Sequence, residues 1–253
     1  MTLAELDAHL SETLRIPDFA RTDASSNGIQ VSRTKAEVQK VAVAVDAALE
    51  TIKRAAEWGA DVLFVHHGLF WGSALPITDV HYERVKALIE ADMALYAVHL
   101  PLDAHETLGN NAVMAEKLGL KHLAPFGVYK GVEIGWAGSL SVPLSSEAIA
   151  RTLFGSVEEL LGLLPFGNAE NKTIGIVSGG GTREVTDAID ASLDLFITGD
   201  ASHTVYHHCL EAGINVMFAG HYNTETWGVR AVAKHLEQHF SLETTFIDLP
   251  TGL

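Results

Sequence analysis

The sequence predicts an α/β fold made of two similar units with mainly parallel sheets, and three observations predict it. Short apolar runs at residues 41–45, 61–65, 93–98, 174–178, 194–198 and 214–219 alternate with amphipathic stretches of helix length, the pattern of βαβ units. The halves repeat, because the runs beginning at Val41 and Asp61 return at Ile174 and Asp194, each 133 positions further on. Histidines and carboxylates gather where these runs end, and in an open α/β sheet the loops leaving the carboxyl ends of strands are where ligands bind.

Taken in order, the first element is the stretch MTLAELDAHLSETL, which spaces Leu3, Leu6, Leu10 and Leu14 along one face of an amphipathic helix. Its acidic character and broken apolar pattern do not fit a secretory signal. No apolar run reaches the roughly 18 residues of a membrane span, so a cytoplasmic protein is expected. Strands at 41–45, 61–65 and 93–98 follow, with a helix over 82–92 before the third and another over 106–118 after it. Residues 125–172 are less regular. They hold a helix over 147–154 that Ser145 or Ser146 can cap, and glycines 127, 131, 135 and 138 that suggest tight turns. The second half repeats the scheme: strands at 174–178 and 194–198, a helix over 204–213, a strand at 214–219 and a helix from Glu225 toward Phe240. A last strand over 244–249 ends at Pro250. The closing helices share matching cores, GNNAV at 109–113 and GVRAV at 228–232. The expected units are therefore residues 1–125 and 126–253, with the C-terminal strand crossing back to the first.

Composition removes several function classes. Seventeen Lys and Arg against 32 Asp and Glu leave a formal charge of −15. No diffuse basic field exists to release counterions, which argues against nucleic acid or an anionic membrane as partner. The single Cys209 excludes an internal disulfide framework and a multi-cysteine zinc site, and reads as a small buried hydrophobe.

The chemistry lies at the strand ends. After residues 61–65 comes His66-His67-Gly68. Successive side chains on a strand point to opposite faces, so the pair suits two neighbouring ions, or one ion if Gly68 turns the chain sharply. After 93–98 comes HLPLDAH (99–105), a loop that Pro101 would stiffen. Asp103 there offers the hard oxygen donor that complements imidazole in mixed N/O sites, or else caps the following helix. His99 and His105 read as groups that orient a ligand through hydrogen bonds. After 214–219 comes GHYNTE (220–225), with His221 and Glu225 at i and i+4. Glu225 near a helix start is favoured as an ionised carboxylate, either bridging cations or simply serving as a helix-end charge. Gly179-Gly180-Gly181-Thr182 follows a strand but matches neither the dinucleotide fingerprint nor the P-loop, and reads as a tight turn. Asp200, in TGD (198–200), is a strand-end polar group able to face the same cleft. His203 and His207 have i,i+4 spacing without the flanking Glu of a zincin. No Gly-x-Ser-x-Gly elbow supports a serine hydrolase.

Four motifs in this order, VHHGLFW (65–71), HLPLDAH (99–105), TGD (198–200) and GHYNTE (220–225), resemble those of the YbgI-type dinuclear metal-centre proteins. That family is named for a yeast NGG-interacting factor, and its members are often labelled GTP cyclohydrolase 1 type 2 homologs. NGIQV (27–31) and the glycines at 179–181 also look like family features. The resemblance implies His66, His67, Asp103, His221 and Glu225 as metal ligands, with Glu225 bridging two divalent ions (Zn, Mn, Fe, Co or Ni). His99, His105 and Asp200 would orient them. It further implies two intertwined three-layer α/β/α units derived by internal duplication, and a toroidal homohexamer. A pair of ions about 3.5–4 Å apart activates water for hydrolysis, so the resemblance implies a metal-dependent hydrolase acting through a metal-bridging hydroxide. Its substrate would be a nucleotide, opened at the guanine ring or cleaved at a phosphoester. A non-catalytic metal chaperone, storage or regulatory protein is the competing reading, since ligands specify a metal and not a reaction.

Overall fold

The computed structural model describes all residues, Met1–Leu253. In chain order its elements begin with α1 (Leu3–Thr13), β1 (Gly28–Val31), β2 (Lys40–Asp46), α2 (Leu49–Trp58), β3 (Val62–His67), α3 (Asp79–Glu90), β4 (Ala94–Ala97), α4 (Leu100–Ala104) and α5 (Asn110–Leu118). The long strands β5 (Lys121–Tyr129) and β6 (Val132–Leu144) come next, then α6 (Ser146–Phe154), β7 (Gly162–Pro165), β8 (Asn171–Val177), α7 (Val185–Asp190) and β9 (Leu195–Thr198). The chain closes with α8 (Tyr206–Ala212), β10 (Asn215–Phe218), α9 (His221–Phe240) and β11 (Glu243–Phe246). No helix is long and apolar enough to cross a membrane.

Two compact units result, Met1–Leu102 with Val229–Leu249, and Asp103–Gly228 with Pro250–Leu253. They do not follow the sequence halves. The chain changes unit inside α4 and again inside α9, and a continuous helix carries no compositional mark of such a change.

The first unit holds a five-stranded sheet in the order β1-β4-β3-β2-β11, with only β1 antiparallel. The central strands are buried along almost their whole length, as strands covered on both faces must be. One core gathers Ala42, Ala44, Leu63, Val65 and Leu95 beneath Ile52, Ala55 and Leu88 of α2 and α3. Helix α1 buries Leu3, Leu6 and Leu10, and Leu14 just beyond it. Thr2 and Glu5 close a capping box at its start, satisfying backbone N–H groups that the helix cannot.

The second unit holds a six-stranded sheet, β5-β6-β8-β9-β10-β7. Its centre, β8-β9-β10, is parallel, and the flanking strands are antiparallel. The stretch expected to be irregular contains the hairpin β5–β6. Lys130 and Gly131, both at positive φ, make its two-residue turn, as the favoured hairpin turn requires. Leu140, Ile149, Ile174, Ile176, Leu195, Ile197 and Met217 form the core.

The internal repeat extends to hydrogen bonds. Val41 pairs with Val62 and Ile174 with Leu195, the same register at the same offset of 133. Asp61 accepts the Gln39 and Lys40 backbone N–H groups at 2.8 and 2.9 Å. Asp194, its equivalent, accepts those of Lys172 and Thr173 at 2.9 and 2.8 Å. Burial pushes both carboxyls up, but these N–H donors outweigh it and hold both below the usual range.

Two local expectations change. HLPLDAH is not a stiff loop, since residues 100–104 form α4. Proline is pre-set for the first turn of a helix, where its missing N–H costs nothing. His221 likewise opens α9 instead of preceding it.

Candidate metal centre

In the first unit, β3 carries His66 and His67 to the carboxyl edge of the sheet. Gly68 follows them. A side chain at that position would collide with the Gln30 amide and the Ala97 methyl. Gln30 fills the space instead, its carbonyl oxygen accepting the Leu69 and Phe70 N–H groups at 2.6 and 3.2 Å. His99 follows β4 on the adjacent strand. One nitrogen from each of His66, His67 and His99 lies within 4.8 Å of the others, a group able to hold a metal ion.

The remaining ring nitrogens are anchored. His66 Nδ1 donates to the Val98 carbonyl, His67 Nδ1 to Asp46 Oδ1 and His99 Nδ1 to Asp23 Oδ1, each at 2.9 Å. A carbonyl or ionised carboxylate can only accept, so each Nδ1 carries a proton, and in the neutral ring the lone pair falls on Nε2. That tautomer, held by an oxygen behind the ring, is the one metal-binding histidines use. Asp23 also takes the Ser25 and Leu100 N–H groups and the Asn27 amide, each at 2.9 Å. Burial pushes its carboxyl up, but the His99 ring, Asn27 and Ser25 outweigh this and bring it down to about 2.

In the second unit, Asp103 on α4 is buried, its Oδ1 accepting from Asn110 Nδ2 at 2.9 Å and Ser178 Oγ at 2.8 Å. Asn111 braces the same place, donating to the Asp103 carbonyl and accepting the Ser178 N–H. At the start of α9, His221 Nε2 lies 3.2 Å from Glu225 Oε1, and His221 Nδ1 lies 2.9 Å from Asp200 Oδ1. Glu225 is only 3% exposed. Its hydrogen bond pushes the His221 ring up to about 9, against burial and with help from Asp200.

The loop after β8 shapes this corner. Gly179 has a φ of +59°, and a Cβ there would overlap Glu225 Oε1 and sit 3.0 Å from His221 Nε2. The GGG run is thus a close approach of backbone to the Glu225 carboxylate, the use for which glycine is kept.

His66, His67 and His99 therefore meet in the first unit, and His221, Glu225 and Asp200 meet in the second, with Asp103 tied to Ser178. His105 has the opposite arrangement, its Nδ1 accepting the Thr107 and Leu108 N–H groups at 3.2 and 3.0 Å. It caps a turn. His203 and His207 are exposed on the outer surface. The sequence reading did not single out Asp23, Asp46, Asn110, Asn111 or Ser178. Asp46 ends a strand beside His67 and carried a usable signal, whereas the others come from loops and helices with no periodic mark.

An α/β scaffold whose strand ends present proton-anchored imidazoles, with a carboxylate buried beside His221, defines a candidate metalloprotein. The chain matches the Duf34/NIF3 (NGG1p interacting factor 3) family over residues 1–251 and belongs to it. It is 44% identical to a Deinococcus radiodurans protein named "GTP cyclohydrolase 1 type 2 homolog", over 98% of this chain and 94% of that one. The Thermus thermophilus protein TTHA1606 shares the fold with a TM-score of 0.86 and 42% identity, each chain covered in full. The protein ybgI, described as of unknown function, gives 0.90 and 32%, again over both full chains.

Proposed function

We propose that this chain is a hydrolase dependent on two divalent ions, held by His66, His67, Asp103, His221 and Glu225. The observation that carries the reading is the shared anchoring of His66, His67 and His221. Each commits Nδ1 to an oxygen acceptor and turns Nε2 toward neighbouring ligand-type atoms. Three imidazoles and two buried carboxylates form a mixed N/O donor set suited to Zn, Mn, Fe, Co or Ni. Bound divalent ions would supply Lewis acidity and a water deprotonated near neutral pH.

The chain's own residues do the rest. Asp46 and Asp200 fix the ring orientations of His67 and His221. Asp23 does so for His99, which stands beside His66 and His67 with ring centroids 5.1 and 5.7 Å away. Trp71, partly exposed, crosses His99 edge to face at 4.8 Å. It offers a flat apolar surface next to the histidines, which supports a substrate with a planar heterocycle, in keeping with the nucleotide chemistry in the relatives' names.

Protein purified without chelators is expected to carry at least two ions per chain by elemental analysis. Loaded with Mn²⁺, Zn²⁺ or Fe²⁺, it should hydrolyse at least one member of a nucleotide and phosphoester panel, and His67→Ala should abolish that turnover. Full loading with no turnover, together with ready transfer of metal to an apo-acceptor, would replace this reading with a metal chaperone.

A further inference from the structure

We propose that His9, His235 and His239 form a second cation site, specific for divalent transition metals, where α1 meets the C-terminal half of α9. This site lies wholly in the first unit and shares no residue with the centre described above.

His235 and His239 are four residues apart on α9, so both project from one face of the helix. Their rings stack with centroids 4.1 Å apart. His239 Nδ1 donates to the His235 carbonyl at 2.9 Å, which leaves the lone pair on Nε2. This repeats the Nδ1 anchoring seen in His66, His67 and His99. From α1, His9 aims its Nε2 at His235 Nε2, 2.8 Å away, with the two rings almost parallel at 9°. Two facing imidazole nitrogens have room for one proton between them. A cation that takes the place of that proton engages both lone pairs, and its binding releases the proton. Nitrogens bound at about 2.0–2.1 Å to a tetrahedral ion stand roughly 3.3 Å apart, so the pair must open by about half an ångström and the rings must tilt from head-on until both lone pairs converge on the ion.

The surroundings permit that movement and keep His9 in place. His239 is exposed and His9 and His235 are half-buried, so the rings can turn toward one ion without disturbing the core. His9 packs edge-on against Phe240 at 4.6 Å, and the Thr13 hydroxyl lies 3.4 Å from its Nε2. Burial and the neighbouring His239 lower the His9 pKa, which favours the neutral ring that a metal requires. Three imidazoles with no carboxylate among them select Zn²⁺, Ni²⁺ or Cu²⁺ over Mg²⁺ or Ca²⁺. Bound there, the ion clips the N-terminal helix to α9.

The test uses the full chain with the central site disabled by His66→Ala/His67→Ala/His221→Ala/Glu225→Gln, stripped with EDTA and titrated with Zn²⁺ and with Ni²⁺ by calorimetry. One ion per chain should still bind. Adding His235→Gln/His239→Gln should eliminate that binding, and His9→Gln alone should weaken it by about tenfold or more, a loss of the size seen for ligand-environment changes. In the otherwise unaltered chain, His235→Gln/His239→Gln should lower the metal content by one ion with an unchanged circular dichroism spectrum. That arm reports on this site even if the central substitutions leave metal content untouched. Unaltered stoichiometry in His235→Gln/His239→Gln, or no binding at all once the central ligands are removed, overturns the proposal.

Discussion

Replacing Gly179 with alanine tests the geometry of the second unit most directly. Two costs arise and can be separated. The first is conformational: at a φ of +59° an alanine pays about 1 kcal/mol relative to glycine. The second is steric, since the new methyl overlaps Glu225 Oε1 and comes within 3.1 Å of its Cδ. The backbone cannot retreat, because the Gly179 carbonyl accepts the Gly199 and Asp200 N–H groups at 3.0 and 2.9 Å and its own N–H donates to Thr224 Oγ1 at 2.9 Å. The buried Glu225 carboxylate must therefore move. Gly119→Ala supplies the control, since Gly119 has a φ of +69° and nothing within 4 Å of its would-be Cβ. Gly119→Ala should lose about 1 kcal/mol, a shift of roughly 2–4 °C in Tm for a chain of this size, and Gly179→Ala at least as much. Only Gly179→Ala should also lose metal affinity, on the order of 10–100-fold, as read by calorimetry on the EDTA-stripped protein. Equal affinities in the two variants would refute the placement of Glu225 against this loop.

Acid should remove the contribution of Asp23. Its folded pKa of about 2 lies below the ordinary 3.8, so its stabilisation is complete above 3.8 and lost as pH falls toward 2. The difference is about 2 kcal/mol, and Asp23→Asn should remove that share of the pH dependence in urea melts between pH 5 and 2. Asp61→Asn and Asp194→Asn each weaken the same pair of backbone N–H bonds and should each cost about 1–3 kcal/mol. Unfolding energies that differ widely between the two would speak against their equivalence. His105→Ala should retain full metal content by elemental analysis while losing some stability, because that ring caps a turn. Retention of both metal and activity in His221→Ala would be the opposite surprise, and would remove His221 from the ligand set.

What could be read from the sequence was whatever local periodicity records. Apolar runs ending in His66-His67 and before His99 are visible because a strand buried on both faces is uniformly apolar, and any polar tip stands out. The partners that set the tautomers are a different matter. Asp23 lies 76 positions from His99, and no local pattern joins them. The hairpin β5–β6 was obscured because β5 is exposed along most of its length and its glycines read as turns. Gly135 is in fact required where β6 passes the Ile176 carbonyl. Pro101 suggested a stiff loop because proline breaks helices from within, yet here it starts one. The unit boundaries inside α4 and α9 had no mark at all.

The repeat explains why one scaffold presents two different corners. Carrying the offset of 133 to the strand ends sets Asp46 against Gly179 and His67 against Asp200. In the first unit Asp46 and His67 are paired residues on β2 and β3, and the carboxylate anchors the imidazole at 2.9 Å. In the second, Asp200 N–H bonds to the Gly179 carbonyl at 2.9 Å, so the backbone relation persists while the side chains have exchanged roles. Asp200 is now the acceptor that anchors an imidazole, and that imidazole, His221, comes from α9. Where Asp46 places a carboxylate, Gly179 places none, and the vacated volume is what the Glu225 carboxylate occupies. A carboxylate supplied by a helix thus takes the place of one supplied by a strand. This exchange is possible only because glycine at this position removes the Cβ that every other residue would bring.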